Sequence, residues 1–286
     1  MSGAETMSEV IERTEILVPG PAQALGGLLD VPVPDLAAGA GLPLLWHWVY
    51  LLDRPAQADL GPDGHPVRGT VPAPPEPGLR RMWAGGRIRA RGTLRCGEPA
   101  TRRSRVLSVQ HKQGRSGPLT FVTVQHHIRQ RGHVVIDEEQ DLVYRPAPAP
   151  APPQAAAAED GPLIPPGHGE RPVEVTPVLL FRFSALTYNA HRIHYDRDYA
   201  RDTEGYPGLL THGPLQALAM AEAARAAGYP GGADAADLVF DYRLLAPLFD
   251  HQGLVVSAVR EGDTVSTAVR DNYGRQTASG TLLTSP

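Results

Sequence analysis

The chain has one cysteine, Cys96, and one lysine, Lys112, among its 286 residues. A lone cysteine excludes an intrachain disulfide framework, so the protein has no need of an oxidising compartment. With lysine nearly missing, the positive charge rests on arginine. That imbalance reads first as compositional bias of the coding sequence, and second as a supply of planar forks able to hold phosphates. No stretch reaches the 18 or so apolar residues of a membrane span. The N-terminal M-S-G-A-E-T-M-S-E-V lacks a basic region followed by an apolar core, so no signal peptide is expected. A net charge of −4 and a pI near 6.3 leave no electrostatic case for a nucleic-acid partner. These absences describe a soluble, cytoplasmic protein with no membrane partner. Its hydrophobic fraction of 42 % is ample for a packed core.

Proline and alanine mark the clearest division. Arg145–Pro172 (R-P-A-P-A-P-A-P-P-Q-A-A-A-A-E-D-G-P-L-I-P-P-G-H-G-E-R-P) favours an extended connection with few packing residues. It separates residues 1–144 from 173–286, a size that suits two similar folding units. In the second unit, Val173–Ser184 (V-E-V-T-P-V-L-L-F-R-F-S) is rich in β-branched and aromatic residues and predicts a strand. A polar, irregular segment follows from Ala185 to Pro207. His212–Gly228 then predicts a helix, with Pro214 in its first turn and Gly228 at C′. Glu222 and Arg225 are its main charges, so the helix should be surrounded by protein. Strand patterns at Leu238–Leu245, Leu254–Arg260, Thr264–Asp271 and Gln276–Leu283 complete a sheet expected to wrap that helix.

The first unit repeats this order with little shared residue identity. A short strand is expected at Thr14–Val18, a short helix at Pro21–Asp30 and an apolar helix at Leu42–Leu52, followed by a Pro/Gly-rich excursion from Arg54 to Gly78. Strands are expected at Gly86–Arg91, Thr101–Lys112, Leu119–Gln130 and His133–Tyr144. The glycines of Lys112–Gly117 and Gln130–His133 suit hairpin turns. The Trp46, Trp48 and Tyr50 stripe reads as core.

Chemistry concentrates in F-R-F-S-A-L-T-Y-N-A-H-R-I-H-Y-D-R-D-Y-A (Phe181–Ala200), which places Asn189, His191, His194, Asp196 and Asp198 within ten residues. Adding water to an activated alkene needs a base for the water, a partner that orients it, and donors for charge growing on the thioester oxygen. Imidazole suits the first task, whereas an amide orients water without exchanging protons. Downstream, T-H-G-P-L (Thr211–Leu215) opens the apolar helix. A helix N-terminus offers unpaired N–H groups, and Gly213 allows close approach. The bland alternatives are a turn-forming Asn189, a structural His194, a Gly213 that is small only for packing, and a loop in which His191 and His194 are simply polar. A metal site from His191, His194 and Asp196 lacks a clear further ligand, and none is expected.

Asn189–Asp196 (N-A-H-R-I-H-Y-D), followed 15 residues later by T-H-G-P-L, resembles the MaoC-like hydratase/dehydratase family. In that family the motif is G-D-x-N-P-L-H, with its Asp and His five apart. Asn189 and His194 fall on those positions, so the Asp is replaced by an amide and the N-P pair by His191 and Arg192. The variant is similar to a two-domain branch that includes mesaconyl-CoA (3-methylfumaryl-CoA) hydratases and type 2 hydroxyacyl-thioester dehydratases. L-P-L-L-W-H-W (Leu42–Trp48), R-R-M-W-A-G-G-R (Arg80–Arg87) and K-Q-G-R-S-G-P-L-T-F-V-T-V (Lys112–Val124) extend the likeness to the first unit.

The resemblance implies an α+β double hot-dog, two antiparallel sheets each wrapped around a central helix. Residues 1–144 would be a degenerate hot-dog of the FAS1-like dehydratase type, residues 145–172 the linker, and residues 173–286 the catalytic unit. It implies a hydro-lyase acting on an acyl thioester of coenzyme A, with no cofactor, and assembly as homo-oligomers of double hot-dog chains. Asn189 would hold the water, His194 would act as base in hydration and acid in dehydration, and Gly213 would serve the thioester oxygen. His191, Asp196 and His212 are accessory candidates. Arg80, Arg81, Arg87, Lys112 and Arg115 are candidates for CoA phosphates. A short, branched or dicarboxylic acyl group of the mesaconyl type is the favoured substrate. The alternatives are a carrier-protein dehydratase of fatty-acid or polyketide synthesis, a thioester-binding scaffold without activity, and a thioesterase.

Overall fold

The computed structural model of the chain describes residues 10–68, 79–114, 117–146, 161–229 and 237–284. The N-terminal half forms β1 (Ile11–Ile16), α1 (Pro19–Leu29), β2 (Leu79–Ala90), β3 (Pro99–Gly114), β4 (Gly117–Gln130) and β5 (His133–Pro146). The C-terminal half forms β6 (Glu170–Val173), α2 (Pro177–Leu186), α3 (Arg197–Asp202), α4 (Gly213–Ala226), β7 (Leu238–Leu244), β8 (Leu254–Glu261), β9 (Thr264–Arg270) and β10 (Gln276–Thr284). All ten strands share one sheet in the order β1-β3-β4-β5-β2-β7-β10-β9-β8-β6. Read outward from the seam, each half repeats one topology: its first strand at the outer edge, its second at the seam, and the remaining three between them. The duplication is thus visible in strand order although residue identity has faded.

The seam is the β2–β7 pair, from Gly85↔Arg243 to Ala90↔Leu238. β2 is hydrogen bonded to β5 on its other side, so it is flanked on both edges. The glycine pair of R-R-M-W-A-G-G-R is needed there. A Cβ on Gly85 would lie 2.4 Å from the Tyr242 carbonyl oxygen, and one on Gly86 would lie 2.4 Å from that of Glu139. Trp83 crosses the seam and donates from Nε1 to Tyr242 Oη at 2.7 Å. The Q-R-G-H hairpin turn has Arg131 at φ 53° and Gly132 at φ 81°, the paired positive angles that a two-residue turn requires. Residues 115–116 of the other predicted turn lie outside the described residues.

Helix α4 packs against β8, β9 and β10 and is buried along nearly its whole length. Its one buried acid, Glu222, accepts from Trp46 Nε1 at 2.8 Å and pairs with Arg225 at 2.6 Å. Burying a carboxylate is tolerable only with such partners. The first of them ties the two halves together.

Two sequence expectations fail. Val173–Ser184 is not one strand: β6 ends at Val173 and Pro177–Leu186 is helical. Thr176 caps the new helix by accepting the Leu179 N–H at 3.1 Å, and Pro177 occupies its first turn. Capping and the burial of Leu180 and Phe183 outweigh β propensity, which is a weak, context-dependent preference. Leu42–Leu52 is not a helix either, but a single 3-10 turn at Trp46–Val49. Leu45 and Leu51 have φ of 69° and 53°, which no α-helix accommodates. Their neighbours are pulled to separate anchors, Trp46 to Glu222, and His47 and Trp48 to Glu138. Among the described residues the N-terminal half therefore has no counterpart of α4, and its inner sheet face borders a cavity instead.

Candidate active site

That cavity measures about 1480 Å³ and opens between the halves. The C-terminal half contributes the loop after α2 and the start of α4. Asn189 N–H donates to Ser184 O at 2.8 Å, and Asn189 Oδ1 accepts from His191 N–H at 3.0 Å. The second bond is an Asx turn; it fixes the path that delivers His191 and His194 to the cavity wall. The turn-forming role and cavity exposure of Asn189 therefore coexist.

His194 is 7 % exposed, and its Nδ1 lies 2.7 Å from Leu210 O. A carbonyl oxygen only accepts, so Nδ1 carries the proton and Nε2 holds the open lone pair. Burial lowers its pKa to about 4. At neutral pH His194 is thus an uncharged imidazole ready to take a proton from water.

His212, just before α4, stacks on His194 with ring centroids 3.6 Å apart and 16° between planes. Its Nε2 is 2.9 Å from Ser184 Oγ, and its Nδ1 is buried without a partner. Burial, with His194 beside it, pushes its pKa far below the usual value. His191 meets His194 edge-on at 5.6 Å and is held neutral chiefly by burial.

The N-terminal half completes the row. In the loop G-P-D-G-H-P (Gly61–Pro66), Asp63 Oδ2 accepts from His65 Nδ1 at 2.9 Å, while Asp63 Oδ1 accepts the His65 N–H at 2.9 Å. The His65 ring lies 3.9 Å from that of His191. The loop is docked through its carbonyls: Arg192 N–H donates to Asp63 O at 2.9 Å, and the Arg192 side-chain Nη1 to Pro62 O at 3.1 Å. Burial works to keep Asp63 protonated, but the bonds from His65 prevail and lower its pKa. Burial lowers the pKa of His65. Four imidazoles from both halves therefore run in contact: His65, His191, His194, His212.

Gly213 begins α4 beside this row and lines the cavity. As a first-turn residue its N–H has no intrahelical acceptor, which suits it to a thioester oxygen. A Cβ here would also meet Leu244 Cδ1 at 2.2 Å, so close packing requires glycine independently.

The other sequence candidates sit elsewhere. Asp196 is not in the site: Oδ1 caps α3 through Tyr199 N–H, and Oδ2 accepts from Arg192. Arg80 lines the cavity but is already paired with Glu204 at 2.7 Å. Arg87 faces away and pairs with Asp241 at 2.5 Å. Lys112 lies over the Phe121 ring, 4.8 Å from its centroid, at the far tip of the β3–β4 hairpin. Arg115 lies outside the described residues. The free phosphate cations expected at 80, 87 and 112 are thus absent from those positions, because each side chain has a local partner.

Sequence reasoning missed Asp63 and His65, which look like any polar turn in a Pro/Gly-rich stretch. It also missed the polar wall of the N-terminal half. There Glu138 accepts from Trp48 Nε1 at 2.9 Å and contacts His47 Nε2 at 2.8 Å. Burial opposes its ionisation, yet these partners lower its pKa to about 2. His126 bridges Ser104 Oγ at 2.7 Å and Gln140 Oε1 at 3.3 Å on the same wall.

Asp63, His65 and His191 each bring a ligand-type atom within 4.8 Å of the others. His65 Nδ1 is committed to Asp63, so a shared cation would have to break that bond. The set fits an oriented Asp–His pair better than a metal centre.

The chain is similar to known proteins over most of its length. The family profile for hydroxyacyl-thioester dehydratase type 2 matches residues 45–250. A mesaconyl-C(4)-CoA hydratase of Chloroflexus aurantiacus is 44 % identical over 267 residues, covering 91 % of this chain and 90 % of that one. The mitochondrial hydroxyacyl-thioester dehydratase type 2 of Schizosaccharomyces pombe is 40 % identical over 88 residues, 31 % of this chain and 29 % of that one. Among solved structures, a MaoC-like dehydratase superposes with a TM-score of 0.67 at 13 % identity, covering 98 % and 99 % of the two chains. A Mycobacterium tuberculosis protein described as a double hot-dog superposes with a TM-score of 0.54 at 17 % identity, covering 97 % and 96 %. The double hot-dog expected from the motif is therefore the fold, with the two units merged into one sheet. The chain belongs to the hydroxyacyl-thioester dehydratase type 2 family and is a hydro-lyase.

Proposed function

We propose that the protein reversibly hydrates a short 2-enoyl-CoA thioester bearing a second carboxylate, of the mesaconyl type. The observation that carries this reading is His194, a neutral imidazole with Nδ1–H fixed on Leu210 O and Nε2 open toward the cavity. In hydration Nε2 takes a proton from water as the oxygen bonds to C3 of the acyl chain. The thioester oxygen gains charge beside the N–H groups that open α4. The imidazolium then hands that proton to C2 as the charge on the oxygen collapses; in dehydration the steps reverse, His194 taking the C2 proton and giving it to the leaving hydroxyl. Water and protons are the only other reactants, so the chemistry calls for no cofactor. Asn189 keeps its Nδ2 donor for water, because Oδ1 serves the turn.

The polar wall of Ser104, His126, Glu138 and Gln140 supports a compact, polar acyl group over a long alkyl chain, since burying hydrocarbon against such groups forfeits their hydrogen bonds. The near full-length similarity to a mesaconyl-C(4)-CoA hydratase supports the same substrate and a CoA carrier. One observation favours a second reading: the cavity exceeds the roughly 300–1,000 Å³ of ordinary ligand pockets, which leaves room for longer 3-hydroxyacyl chains. We place the enzyme in the cytoplasm, in keeping with its single, unpaired Cys96; among the described residues no helix is long and apolar enough to cross a membrane.

Loss of enoyl-thioester absorbance tests the reading. Mesaconyl-C4-CoA should be consumed faster than long-chain 2-enoyl-CoA or carrier-bound substrates. His194→Ala should lower kcat by about 10²–10⁴-fold with the melting temperature little changed. No turnover of any thioester by the wild type, or near-normal turnover by the variant, would overturn it.

A further inference from the structure

Two of the four arginines that line the cavity are already neutralised. Arg80 is paired with Glu204, and Arg102 with Asp53 at 2.9 Å. Arg81 has no carboxylate partner among the described residues, although it is partly buried on the cavity wall. It stands opposite Tyr144 in the β2–β5 register, and directly opposed residues share one face of the sheet. Tyr144 is 4 % exposed, and its buried hydroxyl interacts with the Arg81 side chain. Burial raises the pKa of that hydroxyl, and the Arg81 charge offsets part of the rise. The same charge reaches His65 and His191, where it disfavours protonation. An unpaired guanidinium therefore sits within electrostatic reach of the imidazole row. Arg145 also lines the cavity without an anionic partner among the described residues, but it opposes Arg80, and the charge that reaches His65 and His191 is that of Arg81.

Cationic side chains are seldom left buried without a counter-charge, so the arrangement calls for an anion supplied by the ligand. Its place defines which one. In a mesaconyl-C4 thioester the free carboxylate hangs from C3, the carbon that receives water. A group recognising that carboxylate must lie beside the residues that handle the water, whereas the phosphates of CoA lie a pantetheine arm away. We propose that Arg81 is the specificity-determining residue of this site, binding the free carboxylate on C3 of the enoyl thioester, with the Tyr144 hydroxyl flanking it. The proposal rests on the hydratase reading above. Pairing would orient C3 toward His194 and neutralise a charge that otherwise opposes nucleophilic attack at that carbon. Arg81 thus affects both KM and kcat for the carboxylated substrate.

The test compares two thioesters differing only at that group: mesaconyl-C4-CoA, and 3-methylcrotonyl-CoA with a methyl in place of the carboxylate. Arg81→Gln is expected to lower kcat/KM for the first by about 10²-fold or more and to change the second by less than about threefold. Arg81→Lys should restore part of the preference, and Tyr144→Phe should weaken it by a smaller factor. Equal losses on both thioesters would overturn the proposal and mark Arg81 as a CoA contact or scaffold residue; an unchanged rate on the first would also overturn it. If the wild type hydrates neither thioester, the hydratase reading fails, and calorimetric binding of the same pair still decides the point. A carboxylate preference lost in Arg81→Gln supports the subsite, and no preference in the wild type removes it. Far-UV circular dichroism and the melting temperature separate misfolding from either result.

Discussion

His194 and His212 lie face to face, 3.6 Å between ring centroids and nearly parallel. Neither ring can gain a proton without setting its charge against the other and against a buried, water-poor wall. Burial, with His65 nearby, brings His194 to about 4, and burial with His194 beside it pushes His212 in the same direction. The base of the hydration step therefore stays unprotonated far below the ordinary histidine range. The acid limb of kcat/KM for hydration should fall near pH 4 instead of 6.5, as read from initial rates across pH 3.5–8 with a stability check at each point. A limb near 6.5 would mean that His194 is solvated or is not the base.

The same displacement links stability to pH, and its sign is fixed. The folded pKa of His194 lies below the ordinary value of 6.5 that applies to the unfolded chain, so the unfolded state takes up the proton first. Stability is unaffected above 6.5, falls as pH drops from 6.5 to about 4, and loses nothing further from this group below that. A gap of this size corresponds to about 3 kcal/mol. His65, His126, His191 and His212 act in the same direction. Thermal unfolding should thus show a steep loss of melting temperature between pH 6.5 and 4.5, shallower in His212→Gln. A flat profile over that window would contradict the buried neutral cluster.

Asn189 stands where the MaoC-like motif has an aspartate, and its amide oxygen holds the turn through His191 N–H at 3.0 Å. Asn189→Asp keeps that acceptor and adds a negative charge beside the imidazole row. Opposite charge favours the protonated imidazole, so the acid limb of the rate profile should move up from about 4 while the fold is retained. Asn189→Ala removes the acceptor and leaves the His191 N–H unpaired, which should cost about 1–3 kcal/mol in chemical denaturation and lower kcat as His194 loses its placement. Equal pH profiles for wild type and Asn189→Asp would show that residue 189 is electrostatically remote from the base.

Much of this was legible in the order of residues, for identifiable reasons. Helix α4 was readable because alanine, leucine, Pro214 and Gly228 act locally and in agreement. The strands after it were readable through β-branched runs broken by glycine. Asn189 and His194 were found because their spacing is a local pattern. Leu42–Leu52 was misread because its conformation is set by partners far along the chain: Glu222 holds Trp46, and Glu138 holds His47 and Trp48. Val173–Ser184 was misread because Thr176 and Pro177 were counted as strand interior and not as a cap and first turn. Asp63 and His65 were invisible because nothing in G-P-D-G-H-P says that the loop crosses to the other half of the molecule.

That crossing depends on Gly64. Its φ is +87°, and a Cβ there would lie 1.8 Å from the Ala190 carbonyl oxygen, a backbone atom that cannot swing aside as a flexible side chain can. Gly64→Ala must therefore lift Gly61–Pro66 off the catalytic loop, weakening the bonds from Arg192 to Asp63 O and Pro62 O and drawing His65 away from His191. Gly39 is the control: its φ of +86° is nearly identical, but a Cβ there meets nothing within 4 Å. Both alanine variants carry the left-handed backbone cost of about 1–3 kcal/mol, measurable in urea. Only Gly64→Ala should also lower kcat, by at least about tenfold, since a small misplacement of catalytic groups costs rate steeply. Comparable rates in the two variants would mean that the N-terminal loop covers the site without taking part in it.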